Sequence, residues 1–213
     1  TAINCVVGRD PDRISILSDG AQYTASGMVV GHTAKIWPLS HLNIIVAVSG
    51  ATLAGPIVAN TFGCAPSAAD LKSRAAEYLA DALAIVRVSS RFPDRGTRVV
   101  VAGYDNGQLD CWLLSSVDDD EFHLPAWTVT PIGGLLVTPC VNGRMRDQIL
   151  AILGTREPSQ LNHEIDGLRV LEVQRKHAFA LPDGKPVHAL GRHAQIATIR
   201  PDGEITTKIL RRW

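Results

Sequence analysis

The chain has 213 residues, a length that suits one domain spanning residues 1–213. Apolar residues make up 46% and charged residues 20%, a globular balance that excludes a disordered chain. Lys and Arg number 21, as do Asp and Glu, so the net charge of 0 offers no field to draw nucleic acid or an anionic membrane, and the longest apolar run, Ile44 to Val48, is far short of the about 20 residues of a membrane span.

In chain order, Ala2 to Val7 reads as a strand, Arg9 to Asp12 as a turn, and Ile14 to Leu17 as the returning strand of a hairpin. Thr33 to Pro38 reads as a third strand. Ile44 to Val48 reads as a fourth, apolar throughout and so covered on both faces. Gly50 to Asn60 suits a short buried helix. A longer helix opens at Pro66 to Asp70, with Ser67 and Asp70 in capping-box spacing, and continues with Leu71, Ala75, Tyr78, Leu79, Ala82, Leu83 and Val86 on one stripe. Arg98 to Ala102 and Leu109 to Leu114 form a hairpin across Asp105-Asn106-Gly107.

Pro125 to Pro131 reads as extended, ending at Gly133-Gly134. Asn142 to Leu153 reads as a helix stopped by Gly154, and a further helix from near Pro158 aligns Leu161, Ile165, Leu168 and Leu171. Gln195 to Arg200 and Glu204 to Leu210 close the chain as a hairpin, and the last three residues, Arg211-Arg212-Trp213, read as a solvated tail. Trp37, Trp112 and Trp127 are expected to pack within strands. Strands and helices alternating in groups predict an α+β fold of stacked sheets flanked by helix pairs.

The cysteines, at positions 5, 64, 111 and 140, form no C-x-x-C pair, and the histidines form no H-E-x-x-H, so neither metal nor cofactor is expected. Four reduced, mostly buried thiols are expected, as in a cytoplasmic protein. No basic-then-apolar leader opens the sequence, so no signal peptide is expected.

The chemistry is concentrated near the start. Position one is Thr1. A threonine hydroxyl needs a base, and an N-terminal threonine carries one in its own α-amine, whose reference pKa is about 7.7–8.0. A nearby lysine, held by a carboxylate, would lower that pKa further, and a backbone N–H at a glycine would receive the oxyanion. The sequence offers these groups in order: Asp19 in Ser18-Asp19-Gly20, Lys35 in Gly31-His32-Thr33-Ala34-Lys35, and Gly50 in Ser49-Gly50.

These residues resemble the N-terminal half of a proteasome β-type subunit, among the N-terminal nucleophile (Ntn) hydrolases, nearest to the bacterial proteasome-related peptidases. Two bacterial groups come into question: the peptidase partner of an ATP-driven unfoldase and the ancestral β-subunit proteins. The resemblance implies a four-layer αββα sandwich and a homo-oligomeric ring enclosing a chamber. It implies a threonine-type peptidase acting on peptides or unfolded proteins, with an ATP-driven unfoldase as a candidate partner. Carried over by position, Thr1 is nucleophile and base, Lys35 tunes it, Asp19 pairs with Lys35, and the Gly50 N–H lines the oxyanion hole.

The second half departs from the family. The family's mid-chain Gly-Ser-Gly corresponds here to the stretch Pro131-Ile132-Gly133-Gly134, with the apolar Ile132 at the serine position. Its Asp-x-x-Ser after the last long helix is absent from the stretch Val173 to Phe179. Two alternatives therefore stand beside the peptidase: a catalytically impaired assembly protein of the same fold, and an Ntn amidase acting on a small molecule.

Overall fold

A computed structural model of the chain describes residues 1–9, 12–24, 28–89, 96–105, 107–140, 142–180, 186–188 and 190–213. The expected turn residues Asp10, Pro11 and Asn106 lie outside them.

The chain opens with β1 (Ile3–Arg9) and β2 (Asp12–Asp19), then the small hairpin β3 (Ala21–Tyr23) and β4 (Val29–His32), then β5 (Ile36–Leu39) and β6 (Ile44–Ser49). Helices α1 (Ala54–Gly63), α2 (Ala68–Ser73) and α3 (Ala75–Ser89) follow. After them come β7 (Arg98–Asp105), β8 (Gln108–Ser115), β9 (Thr130–Pro131) and β10 (Leu135–Thr138). Helices α4 (Gly143–Leu153) and α5 (His163–Lys176) precede β11 (Phe179–Ala180), β12 (Pro186–Val187), β13 (His193–Ile199) and β14 (Ile205–Arg212).

Among the described residues, two five-stranded sheets carry the fold, in the orders β10-β1-β2-β13-β14 and β5-β6-β7-β8-β9, with antiparallel pairing throughout. Alternation along each strand builds the layers. In β1, Ile3, Cys5 and Val7 point into an apolar layer shared with Ile45, Ala47, Val100 and Leu113 of the second sheet. Ala2 and Val6 face the other way, toward α4 and α5. In β6, Ile44, Val46 and Val48 face Val58, Phe62, Leu79 and Leu83 of the first helices. The fold is an α+β sandwich with helices outside both sheets, as expected, and β6 is covered on both faces.

Several local expectations change. Residues 29–32 fold back on residues 21–23, so the third expected strand begins only at Ile36. The stretch 125–131 is extended only at Thr130–Pro131, and Trp127 sits in a turn at φ 60° with 38% of its surface exposed, not in a strand. Strand β10 escaped the sequence reading; it is a four-residue edge strand ending at the cis Thr138–Pro139 bond. The last long helix starts at His163 under an Asn162 cap, after a short 3-10 turn at Pro158–Gln160. Trp213 is no solvated tail: it packs with Leu168 and Leu210 on a buried cluster, with the Arg175 guanidinium 5.1 Å from its ring centre. Only two of the four thiols are buried, Cys5 and Cys111, whose sulfurs stand 3.3 Å apart between the sheets.

Candidate active site

The alternation that sends Ile3 and Cys5 into the inter-sheet layer also turns Thr1 toward the second sheet. Three segments meet there: the end of β2, the approach to β5, and the end of β6. Asp19 closes β2 and is buried. Its Oδ1 accepts from Ala2 N at 2.8 Å and from Lys35 Nζ at 3.0 Å. Its Oδ2 accepts from Ala21 N at 3.0 Å and Gly191 N at 3.3 Å. A carboxylate with four donors is fixed in place. Lys35, equally buried, comes from the stretch just before β5, so the Asp19–Lys35 pair spans the two sheets.

The electrostatics follow from burial. Burial alone would raise the Asp19 carboxyl. The Lys35 ammonium, the leading amine and the donated bonds outweigh it, holding Asp19 below the usual carboxylate range. Burial also holds Lys35 below the ordinary lysine value, with Asp19 working against that shift. The α-amine of Thr1 is enclosed, and burial lowers its pKa from 8.0 to about 5; Asp19 opposes the shift, while Lys35 and Arg98 add to it. An amine so placed is largely neutral at pH 7, the form that accepts a proton.

Gly50 follows β6 directly at φ +156°, a backbone setting that side chains rarely allow, and a Cβ there would meet Thr97 Oγ1 at 2.8 Å. It lines a cleft of about 110 Å³ together with Thr1 and Lys35. Among the described residues the cleft wall carries no charged side chain apart from Lys35: Gln22, Thr33, Trp37, Val48 and Thr52 line it. Gly55 opens room for the Trp37 indole, since a Cβ would fall 2.1 Å from Trp37 Cη2. The structure thus brings Thr1, Asp19, Lys35 and Gly50 to one place.

Ile132 packs against the inter-sheet core, as an apolar residue should. His177 caps the end of α5 and pairs with Gln148 Oε1 at 3.0 Å, away from the amine. The sequence reading missed Gly191, which acts through a backbone N–H and so leaves no side-chain signal. It also missed Gln174, fully buried on α5. Its carboxamide accepts from Asn4 Nδ2 at 2.8 Å and donates to Asn4 Oδ1 and Pro139 O, both at 3.1 Å.

Comparison with protein-family models and with curated proteins found no match. Solved structures do match in fold. Anbu, the ancestral β-subunit, from Yersinia bercovieri aligns over 99% of this chain and 87% of its own, with a TM-score of 0.68 and 8% identity. Anbu from Hyphomicrobium sp. strain MC1 covers 99% of this chain and 87% of its own at TM-score 0.63 and 12% identity. The Anbu complex of Pseudomonas aeruginosa, solved as a helical assembly, covers 100% of this chain and 86% of its own at TM-score 0.66 and 12% identity. These neighbours correct the placement in the proteasome β-type family nearest its bacterial peptidases: Anbu proteins are proteasome-related but form a distinct group, and what this chain is shown to share with them is the fold.

Proposed function

We propose that this chain is a hydrolase that attacks peptide or amide carbonyls with Thr1. The observation that carries the reading is the enclosed α-amine of Thr1 beside the buried Asp19–Lys35 pair, in a cleft lined by Thr1, Lys35 and Gly50. The Thr1 hydroxyl adds to the carbonyl carbon as its proton passes to the α-amine. The oxyanion takes a hydrogen bond from Gly50 N–H. The leaving amine then takes the proton, leaving an ester on Thr1 that water, activated by the same α-amine, hydrolyses. The cleft wall suits an uncharged side chain of about leucine size ahead of the cleaved bond.

The working unit is proposed to be a homo-oligomer of this chain. Val88 and Ile85 of α3 and Met28 and Val30 of the β3–β4 hairpin are exposed at 91%, 51%, 63% and 58%, apolar side chains that contact with a second copy would cover. Short peptides and unfolded chains are the proposed substrates, reaching the site by diffusion or from an ATP-driven unfoldase.

Incubation with a β-lactone or epoxyketone, followed by peptide mass analysis, tests the reading. An adduct on the Thr1 peptide, lost in Thr1→Ala, supports it; no adduct with either probe class refutes it. The amine must be neutral to act, so the rate should hold from pH 8 to about pH 6 and fall as the pH drops through about 5. A second reading, a non-catalytic assembly protein, is favoured by the apolar Ile132 and by the missing Asp-x-x-Ser after α5. It predicts a native protein in which another residue precedes Thr1, and N-terminal sequencing decides that point.

A further inference from the structure

Thr1 leads into the first sheet, and Gly50 follows directly on the second. Attack on a carbonyl held at Gly50 therefore needs the two sheets fixed against each other to well under about 1 Å. The layer between them is apolar and non-directional. The Asp19–Lys35 pair crosses it on the β2 side of β1.

A second polar crossing lies on the β10 side. Arg98 opens β7 opposite Ser49, one residue before Gly50. Its Nη1 donates to Glu121 Oε2 at 3.0 Å and to Thr138 Oγ1, and its Nη2 stands 2.7 Å from Asp119 Oδ2. Thr138 Oγ1 donates to the same Glu121 Oε2 at 2.8 Å, and Glu121 Oε1 accepts from Cys140 N at 2.7 Å. Thr138 is the register partner of Ile3, so β10 carries this grip to the first residue of β1, two residues after Thr1. The segment supplying the two carboxylates is itself pinned: Asp119 Oδ1 accepts from Glu121 N and Phe122 N, and Asp119 bridges to Leu124.

We propose that Arg98, gripped by Asp119, Glu121 and Thr138, is a positioning residue for Thr1, a second clasp that fixes the β1–β10 edge against β6–β7 and brings a positive charge to that flank of the leading amine. The inference rests on the reading that Thr1 reacts. The charged groups acting on the amine are Asp19 from β2, Lys35 from the approach to β5 and Arg98 from β7. Asp119 and Glu121 are engaged by Arg98, and the Cys140 thiol lies just past β10.

The test uses the full chain begun at Thr1, with Arg98→Met, Arg98→Lys and Thr138→Val. One readout is the rate of β-lactone adduct formation on Thr1. The other is the pH titration of the Thr1 α-amine, read by competitive acylation with acetic anhydride, which needs no catalysis. Arg98→Met is expected to slow the adduct about 10-fold or more and to move the amine titration upward. Arg98→Lys, which keeps the charge and loses the planar fork, is expected to restore the titration but not the rate. Thr138→Val is expected to slow the adduct several-fold with the titration unmoved. A folded Arg98→Met with wild-type rate and titration overturns the inference. If Arg98→Met does not fold, wild-type rates in both other variants overturn it. Should wild-type Thr1 take no electrophile, the catalytic reading fails by itself. The amine titration then decides the inference alone: movement in Arg98→Met sustains the charge assignment, and an unmoved titration overturns it.

Discussion

The two helical layers press on their sheets with different chemistry. The layer of α1 to α3 meets β6, β7 and β8 through Val58, Phe62, Leu71, Leu79 and Leu83, and no polar side chain in residues 54–89 is buried among those described. The layer of α4 and α5 buries Met145, Ile149, Val170 and Leu171, but also His163, Asp166 and Gln174. Each of those side chains has a partner: His163 Nδ1 has Ser15 Oγ at 2.8 Å, Asp166 has Arg156 at 2.8 Å, and Gln174 has Asn4 at 2.8 Å, while His163 Nε2 is buried without a hydrogen-bond partner among the described residues. Gly167 lets α5 approach β2 closely, since a Cβ there would fall 2.4 Å from Leu17 Cδ2. Apolar area stabilises without aiming, whereas hydrogen bonds aim. The layer that aims is the one behind β1 and β2, which lead to Thr1 and Asp19.

This contrast can be broken by a matched pair of substitutions. Leu79→Ala leaves a cavity in the apolar layer and should cost about 3 kcal/mol in urea unfolding, with the rate of Thr1 adduct formation unchanged in the folded protein. Gln174→Leu strands the Asn4 carboxamide and the Pro139 carbonyl and should cost about 2 kcal/mol. It should also slow the adduct several-fold, because Asn4 and Pro139 are the supports of β1 and of the segment after β10. Equal adduct rates in the two variants would erase the distinction between the layers.

Protons offer a second handle. Burial, reinforced by Arg13, lowers His163 from 6.5 to about 4. The unfolded chain therefore binds more protons than the folded one between about pH 4 and 6.5, and stability rises with pH across that window. The contribution, on the order of 3 kcal/mol, is complete above the unfolded value and is lost as the pH falls through the folded one. Comparing wild type with His163→Gln across pH 4 to 7 should show a steeper slope in the wild type. A Leu79→Ala control should run parallel to the wild type, since its layer buries no titratable group among the described residues.

The same contrast explains what could be read from the sequence. The α3 stripe, the Ser67 cap and the doubly covered β6 were legible because apolar spacing and a capping residue are local signals. The α5 face was legible only in part: Leu161, Leu168 and Leu171 do pack on the core. Its expected stripe included Ile165, which is 53% exposed, while His163, Asp166, Gly167 and Gln174 lie inside. A polar group with a distant partner counts as core in the fold and as surface in a periodicity. The meeting of Asp19 and Lys35 was legible through family resemblance, 16 residues apart on the chain. Arg98, Thr138 and Gly191 were not, because they reach the site from far along the chain, through strand register or a backbone N–H.

The smallest effect is a control with one position in each layer. Ser67 Oγ accepts from Asp70 N at 3.1 Å at the start of α2, and Asn142 Oδ1 accepts from Met145 N at 2.8 Å at the start of α4. Both caps are exposed, so Ser67→Ala and Asn142→Ala should each cost about 1 kcal/mol by urea unfolding. If the aiming contacts are those of Gln174 and its neighbours, both variants should leave the Thr1 adduct rate untouched. A slower adduct in Asn142→Ala alone would mean that α4, too, transmits its position to β1, and the polar ties would then extend over the whole layer rather than reside on one face of α5.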